Sequence, residues 1–208
     1  ETDVAGNTVT NSFTYTLDTV APTAPTLALQ TDSGLSTTDK ITNIGQVNLT
    51  GLENGDQLQY KINGGSYVTV STVTGDVSIT SGFSQGSNTV SVIETDVAGN
   101  TVTNSFTYTL DTVAPTAPTI ALVSDTGSSN SDLITNNGQV IITGLETGDK
   151  WQYKINGAST YDAGTTLTGG ATTGTLAASL FSQGSNTVTI LETDVAGNTV
   201  TNSFTYTL

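Results

Sequence analysis

The segment ETDVAGNTVTNSFTYTL opens the chain at Glu1, returns at Glu94 and closes it from Glu192 to Leu208. Between the first two copies the identity runs further, because residues 1–26 and 94–119 are the same. Successive copies are 93 and then 98 residues apart. Such a period is that of whole domains, well above the roughly 20–50 residues of solenoid repeats. The five-residue difference falls after the paired YKING segments (60–64 and 153–157) and before the paired FSQGSNTV segments. Aligned on the connector, the chain divides into residues 1–17, the C-terminal strand fragment of a preceding repeat, and two complete repeats, 18–110 and 111–208. With 35% hydrophobic residues, repeats of this length can each bury a core.

Within a repeat the apolar pattern has period two. Val102, Phe106, Tyr108 and Leu110 occupy alternate positions, interrupted by Asn104, while Thr and Ser take the other face. That is the signature of a half-buried strand. The same alternation appears at Val47 and Leu49, at Leu58, Tyr60 and Ile62, and at Val90 and Val92. Asn63-Gly64 and Asn156-Gly157 predict type I′ hairpin turns, since both residues accept the positive φ such turns require. No window carries a helical stripe. Strands are expected near Leu27, Val47, Leu58, Tyr67, Ile79, Val90 and Phe106, called A, B, C, C′, E, F and G. The fold class is all-β: antiparallel sandwiches of the immunoglobulin style, in tandem and end to end. Between them DTVAPTAPT, with Pro22 and Pro25, reads as a stiff extended connector.

Charge narrows the function. The formal net charge is -14, with four lysines and no arginine. Nucleic acid and anionic membrane surfaces are poor partners for such a chain. Cys, Met and His are absent, which removes disulfides, thiolate and imidazole chemistry and the usual zinc or copper ligands. No run of 18 apolar residues and no secretory leader is present, so the chain reads as an internal slice of a longer one.

Sixteen of the 18 acidic residues recur at equivalent positions, and nearly all fall in expected loops. They are Asp18 with Asp111, Asp32 with Asp125, Asp39 with Asp132, Glu53 with Glu146, Asp56 with Asp149, and the trios Glu1, Glu94, Glu192 and Asp3, Asp96, Asp194. In an end-to-end sandwich the A–B loop lies at the trailing end, and the B–C and F–G loops lie at the leading end. One junction is therefore expected to gather Asp32, Asp39, Asp111, Glu146, Asp149, Glu192, Asp194 and Asn198, with Asp18, Glu94, Asp96, Asn100, Asp125 and Asp132 as their equivalents at the neighbouring junctions. Carboxylates crowded within about a Debye length repel one another unless they hold cations. An oxygen-only donor set of this kind favours calcium over magnesium, whose octahedral geometry is stricter. Ordinary solvated loop charge is the alternative.

The succession DTVAPTAPTIALVSDTGSSNSDLITNNGQVIITGLETGDKWQYKING, followed by ETDVAGN, resembles the bacterial immunoglobulin-like repeats of giant secreted adhesins. In that family each repeat starts Asp-x-x-Ala-Pro and the F–G loop reads Thr-Asp-x-Ala-Gly-Asn. The resemblance covers nearly the whole chain, with Leu58 departing from the usual Trp that the second repeat has at Trp151. It implies an extender, secreted by a type I system to a Gram-negative cell surface, that holds a distal binding region away from the cell for adhesion or biofilm formation. Calcium at the junctions is implied as well, carried by Asp111, Asp32, Asp39 and Asp194 and by Asp18, Asp125, Asp132 and Asp96.

Two other classes compete with a calcium-locked spacer. A glycan- or receptor-binding module would need exposed aromatics: Trp151 and Tyr153 share a core-like period with Ile155, whereas Tyr67 and Tyr161 lie near the variable hairpins. An enzyme would need a catalytic constellation. Paired carboxylates could suit a glycosidase, yet they recur at every junction with no nucleophile–base pair or phosphate loop beside them. The expected molecule is thus a non-enzymatic, monomeric rod whose partners are its own neighbouring repeats, without membrane insertion.

Overall fold

Alternating burial builds two sandwiches. The computed structural model describes residues 1–70, 72–167 and 171–208, so the variable stretches 65–82 and 158–180 fall partly outside the described residues. In the first repeat, β1 (Thr26–Leu29), β3 (Val47–Thr50) and β6 (Val77–Ile79) form one antiparallel sheet in the order β1-β3-β6. The facing sheet runs β2-β8-β7-β4-β5, from β2 (Ile41–Thr42), β4 (Gln57–Ile62), β5 (Val68–Val70), β7 (Gly86–Thr95) and β8 (Thr101–Leu110). The second repeat repeats the plan. Here β9 (Thr119–Leu122), β10 (Val140–Thr143) and β13 (Thr173–Leu176) oppose β11 (Lys150–Ile155), β12 (Thr165–Thr166), β14 (Ser185–Thr193) and β15 (Thr199–Thr207). This is the tandem immunoglobulin-like architecture the alternation predicts. The pattern does not announce β2, a two-residue edge strand parallel to the end of β8, or the 3-10 turn Ala178–Leu180; both are too short to show a period.

Local chemistry explains the conspicuous sequence signals. Asn63 and Gly64 have φ of 51° and 73°, and Asn156 and Gly157 have 49° and 72°, as type I′ turns require. The Asn63 side chain then ties the turn to β7, accepting from the Thr89 amide at 2.8 Å and donating to Asn88 Oδ1 at 2.9 Å. Asn88 is fully buried and donates to the Ser84 and Gly86 carbonyls, which accounts for the recurring FSQGSNTV. Asn104, which breaks the alternation of β8, donates to the Pro25 carbonyl at 2.8 Å, and Asn202 treats Pro118 in the same way. With Pro22, Pro25, Pro115 and Pro118 all buried, the connectors are packed against their sandwiches.

Val47, Leu49, Leu58 and Val90 are fully buried in the first core, as are Val140, Ile142, Val188 and Ile190 in the second. Trp151 is a core residue, as its spacing predicts, and takes the place of Leu58. The room comes from across the sandwich. Gly174, opposite Ile142, occupies the place that Val77, opposite Leu49, fills in the first repeat. A Cβ on Gly174 would lie 2.6 Å from Trp151 Cζ2. Gly174→Val alone should therefore destabilise the second repeat by about 1–3 kcal/mol, and adding Trp151→Leu should restore most of it. A double-mutant cycle by chemical denaturation checks this; additive losses would contradict it.

Residues 1–17 lie outside both sandwiches, exposed along their whole length, and among the described residues they hydrogen-bond only to one another. Phe13, Tyr15 and Leu17 are consequently exposed, although Tyr206, the equivalent of Tyr15, is buried in the second core.

Candidate cation-binding junctions

The TDVAGN loop closes on itself. In its first copy Asp3 Oδ1 accepts the Ala5 and Asn7 amides and Oδ2 accepts Asn7 Nδ2, all at 2.9 Å. Asp96 accepts the Asn100 amide and Nδ2 at 2.8 Å, and Asp194 accepts the same pair from Asn198 at 2.8 Å. Hydrogen bonds from the Asn7 and Asn100 side chains, and then from nearby backbone amides, hold the Asp3 and Asp96 carboxyls below the usual carboxylate range. The Asp–Asn strut thus forms with or without a sandwich behind it. Asn198 Nδ2 also donates to the Asp111 carbonyl at 2.8 Å, and Asn100 Nδ2 to that of Asp18 at 3.3 Å, fixing each connector to its loop. Asp96, Asp194, Asn100 and Asn198 are first of all struts.

Beneath these loops lie the carboxylates without enough partners. Glu94 and Glu192 are fully buried; one oxygen of each accepts the amide of Glu53 or Glu146 at 2.7 Å, and Oε2 has no partner. Asp56 and Asp149 are buried with Oδ2 unpartnered. Glu53 and Glu146 spend Oε1 on the connector amides of Thr23 and Thr116, at 2.8 and 2.9 Å. Burial, reinforced in order by Glu192, Glu146, Asp194 and Asp111, pushes the Asp149 carboxyl up to about 7. Burial also raises Asp56, Glu94 and Glu192.

Across the junction between the repeats the acceptors are backbone carbonyls. The Leu35 amide donates to the Val195 carbonyl at 3.2 Å, and Ser33 Oγ donates to the Ala196 carbonyl at 2.8 Å. Gln85 clamps the connector, its Nε2 donating to Asp111 Oδ1 at 2.6 Å while its Oε1 accepts the Thr112 amide at 3.0 Å. Asp111, Glu146, Asp149 and Asp194 line one open cleft of about 400 Å³ with Gln85. Asp18, Glu53, Asp56 and Asp96 line its counterpart on the first repeat.

Asp32 and Asp39 do not line that cleft. Asp32 Oδ2 accepts the Lys40 amide and Asp39 Oδ1 the Ile41 amide, both at 3.0 Å, and Asp32 lines a separate recess with Lys40 and Phe106. Asp125 and Asp132 hold the Leu133 and Ile134 amides in the same manner. Their loop does reach the next repeat, as the end-to-end geometry predicts, but through Ser33, Gly34 and Leu35. Asp32 and Asp125 each keep one buried, unpartnered Oδ1. Among the described residues, no three acidic side chains stand close enough together to grip one ion. Sequence reasoning passed over Gln85, Ser33 and Gly34; the recurrence of Gln85 as Gln183 within FSQGSNTV was the available signal.

Residues 20–112 and 113–208 each match the bacterial Ig-like domain family. The chain belongs to that family. These Ig-like domains are 30% identical, over 97% of the chain, to the serine-rich adhesin for platelets of Staphylococcus aureus strain MRSA252, and equally to that of strain MW2. They span only 14% and 8% of those relatives' lengths. Among solved structures they are similar to a Ca2+-stabilized adhesin of an Antarctic ice-binding bacterium, with 25% identity, 99% of this chain, 54% of that one and a TM-score of 0.39. They are also similar to a tetra-tandem repeat from the extending region of a large adhesion protein, with 20% identity, 89% and 49% coverage and a TM-score of 0.35. Neither Ig-like domain presents an aromatic platform built on Trp151, which is buried. Tyr67 is exposed with Lys61 Nζ 4.7 Å above its ring, and Tyr161 has Lys154 Nζ at 4.9 Å.

Proposed function

We propose that this chain is an extender segment of a large bacterial surface adhesin, a non-enzymatic spacer stiffened by calcium at each junction and holding a distal binding region away from the cell. One observation carries the calcium reading. Of the seven buried side-chain oxygens without a hydrogen-bond partner among the described residues, six are carboxylate oxygens in repeat-equivalent pairs: Asp32 and Asp125, Asp56 and Asp149, Glu94 and Glu192. A buried, unpaired carboxylate is costly, and a cation is the partner that removes the cost. The donors are all oxygen, which suits a hard ion of flexible coordination. Asp149 and Glu192 would hold the ion at the central junction with Glu146 and Asp111, and Asp194 would add its remaining lone pairs. Side chains would have to close inward on the ion. Asp56, Glu94 and Asp18 would serve the leading end of the first repeat in the same way, and Asp32, Asp39, Asp125 and Asp132 would supply donors at the trailing ends.

The test is calorimetric titration of calcium into the chelator-treated protein, with small-angle scattering recorded before and after. Binding should be saturable, should narrow the range of interdomain arrangements, and should lose at least one site in Glu192→Gln. No heat, with superimposable scattering in calcium and EDTA, would leave the acids as solvated loop charge and return the stiffness to the buried prolines alone.

A further inference from the structure

Acids and lysines occupy different parts of each repeat. Acids outnumber lysines by 18 to four, yet three of the lysines, Lys61, Lys150 and Lys154, stand on the equivalent strands β4 and β11. Because Leu58 and Trp151 point into the cores, strand alternation turns these lysines to the outer face of the sheet. None of the outward positions of β4, β7 and β8 is acidic: beside Lys61 they hold two glutamines and a field of Thr and Ser broken only by Ile93. The outward positions of β11, β14 and β15 repeat this field, with Lys150 in place of Gln57 and Leu191 in place of Ile93. The register sets Lys61 in one row with Ser91 and Ser105, and Lys154 in one row with Thr189 and Ser203. These rows cross the middle of the long strands, along the flank of the sandwich. In the first repeat, which carries a neighbour at its trailing end, Tyr67 on this flank remains 42% exposed.

The lysine heads on this face are held in place. Lys61 Nζ lies 4.7 Å from the centroid of the Tyr67 ring, and Lys154 Nζ lies 4.9 Å from that of Tyr161. The two tyrosines come from the stretch in which the repeats differ, three residues after Gly64 in one and four after Gly157 in the other. Two unlike hairpins thus deliver a ring to the equivalent lysine. Such a contact restrains the long side chain and leaves ammonium donors for a further partner. Lys61 and Tyr67 line an open groove of about 450 Å³ together with Ser91, Thr103 and Ser105. Its floor is firm, since Asn104 donates to the Pro25 carbonyl and accepts the Ser105 amide, both at 2.8 Å. In the second repeat the one carboxylate near the stack, Asp162, accepts the Tyr153 amide at 2.8 Å.

We propose that this flank of each repeat binds a polysaccharide strand that carries spaced uronate carboxylates, with Lys61 or Lys154 meeting a carboxylate and the Thr, Ser and Gln side chains meeting sugar hydroxyls. The chemistry matches on each count. Hydroxyls and amides both donate and accept, as sugar hydroxyls do, and an ammonium held on an acid-free face makes a charge-assisted bond to a carboxylate. The tyrosine ring offers an apolar side to the C–H face of a sugar. A groove this open suits an extended polymer, since sites for small molecules enclose most of their ligand. The net charge of -14 repels a densely charged polyanion, which leaves a chain with isolated carboxylates on a neutral backbone. The inference goes beyond the extender reading and does not rest on it or on calcium.

Amide NMR titration of the whole chain with a hyaluronan octasaccharide tests it, with neutral maltooctaose as the comparison. The titration is run in EDTA, so that no metal ion can bridge the sugar carboxylates to the acidic clefts. Shift changes should saturate at millimolar hyaluronan and centre on the rows of Lys61, Ser91 and Ser105 and of Lys154, Thr189 and Ser203. The double variant Lys61→Gln, Lys154→Gln should bind about tenfold more weakly, as loss of a charge-assisted bond requires. Lys40→Gln should bind as the parent does, because Lys40 stands over Phe106 in a separate recess. Equal melting temperatures of the three proteins keep a folding defect from imitating a lost contact. Shifts that do not saturate or that centre on the acidic clefts would overturn the proposal, as would maltooctaose binding equal to that of hyaluronan. So would undiminished binding by the double variant.

Discussion

In EDTA the protein should gain thermal stability as the pH falls from 8 to 5, and in millimolar calcium it should lose it. The sign follows from the buried carboxyls. Asp149 titrates near 7 in the folded protein against 3.8 ordinarily, because burial and then Glu192, Glu146, Asp194 and Asp111 disfavour its charge. The folded state therefore carries a cost above neutral pH that is relieved as pH falls through 7 and is gone below about 4. At 1.36 kcal/mol for each tenfold change, the full cost is about 4 kcal/mol, or on the order of 20 °C in the second repeat. Asp56, Glu94 and Glu192 shift in the same direction and add to it. Asp3 and Asp96 shift the other way, and the stability they confer is lost only below about 4, outside this window. A bound divalent ion reverses the balance, since protons then compete with it for the same oxygens. Asp149→Asn should accordingly stabilise the protein in EDTA and destabilise it in calcium. Differential scanning calorimetry at three pH values decides it, and melting temperatures that fall with pH in both buffers would refute the burial argument.

Gly34→Ala should uncouple the two repeats, while Gly127→Ala leaves them coupled. Both glycines have φ near +100°, so the backbone strain of about 1 kcal/mol is matched between the variants. Only at Gly34 would the new Cβ meet the neighbouring repeat, 2.0 Å from Val195 O. The expected readout is a single cooperative melt that splits into two transitions in Gly34→Ala, with loss of alignment between the domains in residual dipolar couplings. Equal behaviour of the two variants would mean that the Gln85 clamp and the buried prolines hold the junction without the loop contact.

Most of the architecture was legible because the longest strands alternate and the whole pattern recurs in the second repeat. β7, of ten residues, shows period two throughout, β8 shows it except at Asn104, and the Asn-Gly turns name their own backbone conformation. β2 was not legible, because two residues cannot show a period. The recurring acidic positions were legible, but sequence does not say which carboxylates are already satisfied by their own loop, and Asp56, whose Oδ2 is buried without a partner, stood outside the expected ligand set. Only coordinates show that the Asp194 oxygens are taken up by Asn198 while Asp149 and Glu192 keep one free oxygen each. The placement of Asp32 and Asp39 illustrates the same limit. Topology brought their loop to the right end, whereas the direction of its side chains depends on local bonds such as Asp32 to the Lys40 amide.

The constancy of TDVAGN has a consequence for inheritance. Its strut is internal, its mate on the preceding repeat is glycine backbone and one small hydroxyl, and residues 1–26 equal 94–119 letter for letter. A coupling made this way is indifferent to which unit supplies either side. Unequal recombination between copies can then add or remove units without producing a joint of a kind the chain does not already contain, so the number of units is free to change while their surfaces drift.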